Sequence, residues 1–216
     1  MRSKFDERLD NLNDELITMG SKVTRAIEDS INALINEDLN LARSVANGDD
    51  IINDMEKEIE TDAIKLLLKH QPVASDLRFI TSILKIITDL ERIGDQAADI
   101  SVLNLKLSKR NYTPSDLGSI KAMGDITVSM VEDALVAHKT GDLDLVEEVI
   151  LRDQEVNDYF KVVRDEVIKD ISDNDFDTKN SLDIFMIAKY LERIGDHAKN
   201  VGEWVYYSIA GKHKND

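Results

Sequence analysis

"LERIGD" occupies residues 90–95 and occurs again, unchanged, at residues 191–196. Six identical residues in a row are not expected to recur by chance within one chain of 216 residues. The recurrence indicates either a packing element that is used twice or a binding site that is built twice. Much of the fold and of the function depends on which of the two applies.

The repeat extends toward the N-terminus at an offset of 104 residues. There, Met19-Gly20 aligns with Met123-Gly124, and "DLNL" at 38–41 aligns with "DLDL" at 142–145. The offset falls to 101 at the "LERIGD" block, and the change lies in "HQPVASD" and "SDNDFDTKN", which are typical of loops. We therefore predict two duplicated domains, residues 1–110 and residues 111–216, separated by "NYTPSD" at 111–116.

Apolar residues recur every three or four positions along each half, which predicts amphipathic helices. In the first half the apolar stripe runs from Phe5 to Leu34 and breaks near "NED" and "ANGDD". It continues in two further runs that Gln71-Pro72 separates. Helices are predicted in the second half near 116–138, 143–171 and 178–209. The predicted fold class is all-α, with two tandem, duplicated three-helix bundles related by pseudo-two-fold symmetry.

The chain carries 27 Lys and Arg against 43 Asp and Glu, a net charge of −16. This charge argues against nucleic acid and anionic lipid as partners and favours cations or a basic patch on another protein, unless it only maintains solubility. The absence of Cys excludes disulfides and thiolate metal ligands. "MRSKFDERLD" has no apolar signal region, and no stretch approaches 18 apolar residues, so we expect a cytoplasmic protein without direct membrane insertion.

The repeated block places carboxylates four residues apart, on one face of a helix. The predicted metal ligands on this face are Glu91, Asp95 and Asp99 in the first half, and Glu192, Asp196 and Asn200 in the second. Two aligned pairs on another helix extend the set: Asp49 with Asn53, and Asp153 with Asn157. Like charges at this spacing destabilise a helix by about 0.2–0.5 kcal/mol, and a cation between them reverses the sign.

Hard oxygen ligands suit Mg, Ca, Mn or iron better than soft metals. The alternative is that carboxylates at this spacing arise by chance on the solvated face of an acidic chain. Arg92 and Arg193 would then neutralise them as salt bridges. His197, next to Asp196, is either an additional nitrogen ligand or a residue with a capping or solvent-exposed role.

The sequence lacks the motifs of common catalytic and nucleotide sites. No His follows a Glu by three positions, so the pattern of ferritin-like di-iron enzymes is absent, as are the Gly-rich phosphate loops. We therefore predict no catalytic residues and no organic cofactor. Trp204, Tyr206 and Tyr207 on the last helix belong to the core or to a dimer surface, and we predict a symmetric homodimer.

With its duplicated block, three-helix halves and length, the sequence resembles the PhoU family of regulators of bacterial phosphate uptake. The resemblance covers essentially the whole chain. It rests on the Glu-x-x-x-Asp signature at Glu91–Asp95 and Glu192–Asp196, with "DLRFI" at 76–80 and "FMIAKYLERIGDHAKNVGE" at 185–203. It implies two similar bundles whose motifs hold clusters of iron or zinc. Asn200 stands where the first half has Asp99, so we expect the second site to bind metal more weakly.

The resemblance also implies a role that the residues themselves do not indicate. That role is negative control of the phosphate-starvation response, by linking the ATPase of the phosphate ABC transporter to a membrane sensor kinase. Two other readings stay open at this point. In the first, the chain is a carboxylate-bridged metalloenzyme, such as a phosphatase. In the second, it is a purely structural bundle whose repeated block is a packing element.

Overall fold

The structure is a computed structural model that describes residues 4–110, 117–172 and 178–214. These residues form seven α-helices and contain no strand. The helices are α1 (Lys4–Ile35), α2 (Leu39–Ala46), α3 (Asp49–His70), α4 (Ser75–Lys109), α5 (Gly118–Thr140), α6 (Leu143–Ser172) and α7 (Thr178–Ala210). The all-α prediction is confirmed. The predicted domain boundary falls at residues 111–116, which lie outside the described residues, so it stays a prediction.

An aspartate begins the second helical segment of each half. The Oδ1 atom of Asp38 accepts hydrogen bonds at 3.0 Å from the backbone N–H groups two and three positions later. The Oδ1 atom of Asp142 does the same at 3.1 Å. A capping side chain of this kind stabilises a helix by about 1 kcal/mol. The aligned stretches "DLNL" and "DLDL" are therefore the same helix start used twice.

The two halves differ after this start. In the first half α2 ends at Ala46, and Gly48 precedes the first residue of α3. In the second half α6 continues without a break through Arg152, which aligns with Gly48. Glycine inside a helix costs about 1 kcal/mol relative to alanine, which favours an interruption there. The break predicted near "ANGDD" is confirmed, and it changes the surface beside α1.

The helices pack in two equivalent groups. α4 packs against α1, α2 and α3, and α7 packs against α5 and α6. The two halves meet where α4 packs against α7 and where α1 packs against α5. At the second contact Gly20 faces Leu135 and Gly124 faces Ile31, and each pair is converted into the other by the offset of 104. Reciprocal contacts of this kind are those of a two-fold axis, so the predicted pseudo-two-fold relation is confirmed.

The aromatic residues of the last helix are half-buried within the chain. Trp204 and Tyr207 meet edge to face with ring centroids 6.0 Å apart, and His213 stacks on Tyr207 at 4.5 Å. Tyr206 packs partly against the core. Trp204 and Tyr206 therefore pack at the edge of the core, all three side chains stay partly exposed, and the homodimer stays a prediction.

Gly20→Ala is expected to lower the free energy of unfolding by about 1–3 kcal/mol. An added Cβ would lie 2.1 Å from Leu135 Cδ1, so α1 and α5 would have to separate or the leucine would have to change rotamer. This overpacking exceeds the gain of about 1 kcal/mol from replacing a helical glycine. Urea unfolding followed by circular dichroism measures the effect. The same substitution in a Leu135→Ala background should lose most of its cost, and an equal cost in both backgrounds would contradict the explanation.

Candidate metal centre

The apolar residues of the repeated block point into the core. Leu90 and Ile93 on α4 are fully buried, and Leu191 and Ile194 on α7 are buried to the same extent. These positions continue the apolar stripes that the sequence shows. The block "LERIGD" is therefore a packing element in both halves, and whether it is also a binding site depends on its polar residues.

The glycine of the block allows a neighbouring helix to come close. A Cβ on Gly94 would lie 2.9 Å from Ile52 Cδ1 of α3, and a Cβ on Gly195 would lie 3.2 Å from Val156 Cγ1 of α6. The aligned residues Ile52 and Val156 are both buried. Each glycine therefore brings the helix that carries Asp49 or Asp153 against the helix that carries the Glu-x-x-x-Asp pair.

Asp95 lies among other carboxylates of the first half. Partial burial raises the pKa of Asp95, the Arg92 guanidinium counteracts this, and Asp49 and Asp99 raise the pKa further. Partial burial and the charge of Asp95 also raise the pKa of Glu91. Carboxyl groups with pKa values raised by like charges repel one another when ionised, and a bound cation relieves that repulsion.

Asp196 has the corresponding surroundings in the second half. Partial burial raises its pKa first, and the charges of Glu192 and Asp153 raise it further, while Lys189 lowers it. Glu192 lies on the same helix, and Asp153 lies on α6. In each half, one aspartate of another helix therefore lies near enough to the Glu-x-x-x-Asp pair for its charge to raise the pKa of the aspartate in that pair.

The second half contains two ammonium groups at this face. Lys189 Nζ donates a hydrogen bond to Glu192 Oε2 at 2.5 Å, and Lys199 Nζ donates to Asp153 Oδ2 at 3.3 Å. The aligned residues of the first half are Thr88 and Ala98. The second half is therefore partly neutralised by these two lysines, and the first half by Arg92, whose Nε atom lies 3.4 Å from Glu91 Oε2.

Asp153 is the most buried of the predicted ligands, with 7% of its surface exposed. Its Oδ2 atom accepts hydrogen bonds from Lys199 and from Asn157 Nδ2, the latter at 3.2 Å. Its Oδ1 atom is buried and has no hydrogen-bond partner, and the same is true of Asn53 Oδ1 in the first half. A buried acceptor without a partner costs about 1–3 kcal/mol. Both orphaned oxygens belong to residues that the sequence predicts as ligands.

Asp99 and Asn200, the third residues of the two ladders, lie at the contact between α4 and α7. The Tyr190 hydroxyl hydrogen-bonds to Asp99, which adds to the effect of partial burial in raising the pKa of the tyrosine. Asn200 Nδ2 donates to Asp89 Oδ1 at 3.2 Å, and His197 Nδ1 lies 2.8 Å from the same oxygen. Asn200 is thus directed to the other half rather than to the carboxylates of its own half, and His197 is occupied there too.

The described side chains form neighbouring carboxylates rather than a closed ligand cage. In residues 4–110, 117–172 and 178–214, no group of three or more His, Asp and Glu side chains is arranged to hold a metal ion. The donor chemistry nevertheless fits a hard cation, because the groups are oxygens, repel one another and include two orphaned acceptors. Closure of the second site would require Lys189 and Lys199 to turn away from their partners.

Sequence reasoning missed the two lysines and Glu56. Glu56 lies on α3, raises the pKa of Glu91 and accepts a hydrogen bond from Thr88 Oγ1 at 3.3 Å. A comparison of the two halves selects residues that agree, and these three differ between the halves. The signal that would have found Glu56 is its position one helical turn beyond Asn53 on the same helix.

None of the helices in the described ranges combines the length and the apolarity that crossing a lipid bilayer requires.

Comparison with known proteins gives matches over nearly the whole chain. A model of the PhoU domain matches it twice, at residues 16–103 and 120–205. The chain is 39% identical to the phosphate-specific transport system accessory protein PhoU homolog of Clostridium acetobutylicum, over 98% of this chain and 96% of that protein. It is 31% identical to the phosphate-specific transport system accessory protein PhoU of Escherichia coli, over 97% of this chain and 86% of that protein.

Two solved structures have the same fold. The crystal structure of PhoU from Pseudomonas aeruginosa superposes with a TM-score of 0.92 at 35% identity, covering 97% of this chain and 100% of that chain. The phosphate transport system regulatory protein PhoU from Streptococcus pneumoniae superposes with a TM-score of 0.90 at 28% identity, covering 97% of this chain and 99% of that chain.

Proposed function

Because this chain belongs to the PhoU family, we propose that it is an accessory protein of a phosphate transport system and restrains phosphate uptake. The observation that carries this proposal is the full-length match to relatives named as accessory proteins of phosphate-specific transport, with two PhoU domains in tandem. The role includes negative control of the phosphate-starvation response. The chain performs it by docking on partners, without a reaction of its own.

The proposed partners are the ATPase of the phosphate ABC transporter and a membrane sensor kinase, which the chain would contact on the cytoplasmic side. A pair of packed bundles with a net charge of −16 suits such an adaptor, because it presents a strongly acidic surface to basic patches on other proteins. The same charge disfavours direct binding to anionic lipid headgroups.

The proposed metal centre uses the repeated acidic face. In the first half Glu91, Asp95 and Asp49 would hold a cation, with Asn53 Oδ1 as a further donor. In the second half the aligned residues Glu192, Asp196, Asp153 and Asn157 would do so. A bound cation would neutralise carboxylates that otherwise repel one another, and would fix α3 against α4 and α6 against α7. Oxygen donors alone favour iron, Mn, Mg or Ca over zinc.

Complementation of a bacterial strain that lacks its own PhoU tests the regulatory role. A reporter driven by a phosphate-starvation promoter is expected to be active in phosphate-rich medium in this strain, and the present chain should silence it. Lys57→Ala, a variant at a side chain that is 69% exposed, should silence the reporter as the wild-type chain does. A reporter that stays active despite normal amounts of the protein would contradict the proposal.

A further inference from the structure

A small cleft opens on the first half beside the break between α2 and α3. Its volume is about 150 Å³, well below the roughly 300–1,000 Å³ of a small-molecule site, so it has room for a single side chain. Ala26, Val45 and Ile52 form an apolar floor, and Asp29 of α1 lies at its wall. Gly48 stands at the break and contributes no side chain to fill the space.

The second half shows what fills the equivalent space. Arg152 occupies the position aligned with Gly48, and its guanidinium donates hydrogen bonds to the carboxylate of Asp133 and to Ser129 Oγ, the latter at 3.3 Å. Asp133 is the residue aligned with Asp29. In the second half, therefore, an arginine of α6 binds the carboxylate of Asp133. In the first half the aligned carboxylate, that of Asp29, lies beside an open cleft instead.

The apolar residues around Gly48 are also less buried than those around Arg152. Met130 and Val149 of the second half are completely buried beneath this region. The aligned residues of the first half, Ala26 and Val45, are half-buried and line the open cleft. The first half thus lacks both the arginine and part of the apolar packing that accompanies it in the second half.

Asp29 has a partner in the first half, but a weakly held one. Arg25 Nε lies 3.4 Å from Asp29 Oδ2, and 80% of the Arg25 side chain is exposed. Arg25 aligns with Ser129, so this contact is made within α1, whereas Arg152 reaches its carboxylate from the neighbouring helix α6. Exposed pairs of this kind contribute about 0–1 kcal/mol, so exchange for another guanidinium is inexpensive.

We propose that this cleft receives an arginine side chain of a partner protein, with the guanidinium on Asp29 and the aliphatic stem on the floor of Ala26, Val45 and Ile52. The inference takes from the proposed function that the chain docks on another protein. Arginine fits better than lysine because its planar fork pairs with a carboxylate through two parallel hydrogen bonds. The net charge of −16 would attract a basic segment to this surface.

An acidic occupant is disfavoured although Lys22 and Arg25 lie at the rim. The N-terminus of α3, which would attract an anion, carries Asp49 and Asp50 in its first turn. Asp49 Oδ1 already accepts the backbone N–H of Asp50 at 3.0 Å. The exposed Ile51, with 56% of its surface accessible, adds apolar contact area for a peptide at the edge of the cleft.

An NMR titration of the purified chain with N-acetyl-arginine methylamide tests the inference. The amides of Ala26, Gly48 and Asp49 should shift on binding, and those of Arg152 and Asp153 should not. The citrulline analogue, which has the same shape without charge, should bind about tenfold or more weakly. Equal binding of the citrulline analogue, or equal shifts at the same amides with N-acetyl-aspartate methylamide, would overturn the proposal.

Three variants complete the test. Gly48→Arg supplies the guanidinium from within the chain, as Arg152 does, and should abolish binding. A Cβ on Gly48 would lie 3.0 Å from Ser44 O, so Gly48→Arg could also shift the backbone. Asp29→Asn is therefore a second variant, which leaves the backbone unchanged and should also abolish binding. Arg25→Ala removes the competing side chain and should strengthen binding. Unaltered binding in Gly48→Arg and Asp29→Asn would refute the site, whereas failure of the reporter assay would leave it standing.

Discussion

Replacing Ile93 by alanine is expected to lower the free energy of unfolding by about 2–5 kcal/mol. Ile93 is fully buried on α4, the helix that packs against three helices of its own half and against α7 of the other. Truncation removes the transfer free energy of the lost methyl and methylene groups and leaves a cavity that close-packed helices refill only in part. Equilibrium unfolding in urea, at unchanged slope, measures the loss.

The neighbouring residues of the block provide matched controls. Arg92→Ala should change the free energy of unfolding by no more than about 0.5 kcal/mol, since 55% of its side chain is exposed. Ile194→Ala, at the aligned and equally buried position, should lose about as much as Ile93→Ala. A small loss for either isoleucine, or a large loss for Arg92→Ala, would contradict the division of the block into a packing side and a solvent side.

The features that the sequence predicted well are those that recur at helical spacing. Ile93 and Ile194 continue apolar stripes, and burial follows from the stripe whatever the neighbouring helix is. The break at Gly48 was also predictable, because "ANGDD" interrupts the stripe and glycine disfavours a helix interior. Two copies of the pattern predicted the pseudo-two-fold relation, which the reciprocal contacts of Gly20 and Gly124 confirm.

The features that the sequence could not give depend on how one helix is rotated against another. Asn200 occupies the ladder position after Asp196, yet its side chain bonds to Asp89 across the two halves, because α7 turns that position toward α4. Lys189 and Lys199 lie three residues on either side of the second acidic pair, but their choice of Glu192 and Asp153 is set in three dimensions. The assignment of these residues as metal ligands stays a prediction.

The acidic face should respond to pH in opposite ways with and without metal. The pKa values of Glu91, Asp95 and Asp196 are raised in the folded chain, so over their titration range the folded state binds more protons than the unfolded state. In metal-free protein their contribution to stability is therefore greatest at low pH and falls as pH rises through the raised values. Metal binding needs ionised carboxylates, so the stabilisation by metal should instead grow with pH.

Asp95→Asn should consequently have opposite effects in the two states. In metal-free protein it removes like-charge repulsion and should raise the free energy of unfolding by about 0.2–0.5 kcal/mol. With Mn²⁺ at about 100 times its Kd, the wild type should gain about 2.7 kcal/mol per occupied site. The variant should lose the gain that belongs to the first site. Unfolding in urea, with chelator and with Mn²⁺, measures both effects, and Lys57→Ala should behave as the wild type in each.

Asp196→Asn extends the comparison to the second half. The order in which the two sites lose metal tests whether the repeated block binds metal or only packs in the core. Mn²⁺ that binds there must displace Lys189 and Lys199 from the carboxylates, whereas the first half has the more exposed Arg92 in contact with Glu91. The second site should therefore empty first as chelator is added, and Asp196→Asn should remove that early step from the titration. Asp95→Asn should remove the later step. If metal content per chain and the Mn²⁺-dependent gain are the same in both variants as in the wild type, the repeated carboxylates do not bind metal. "LERIGD" would then recur for the burial of its leucine, isoleucine and glycine alone.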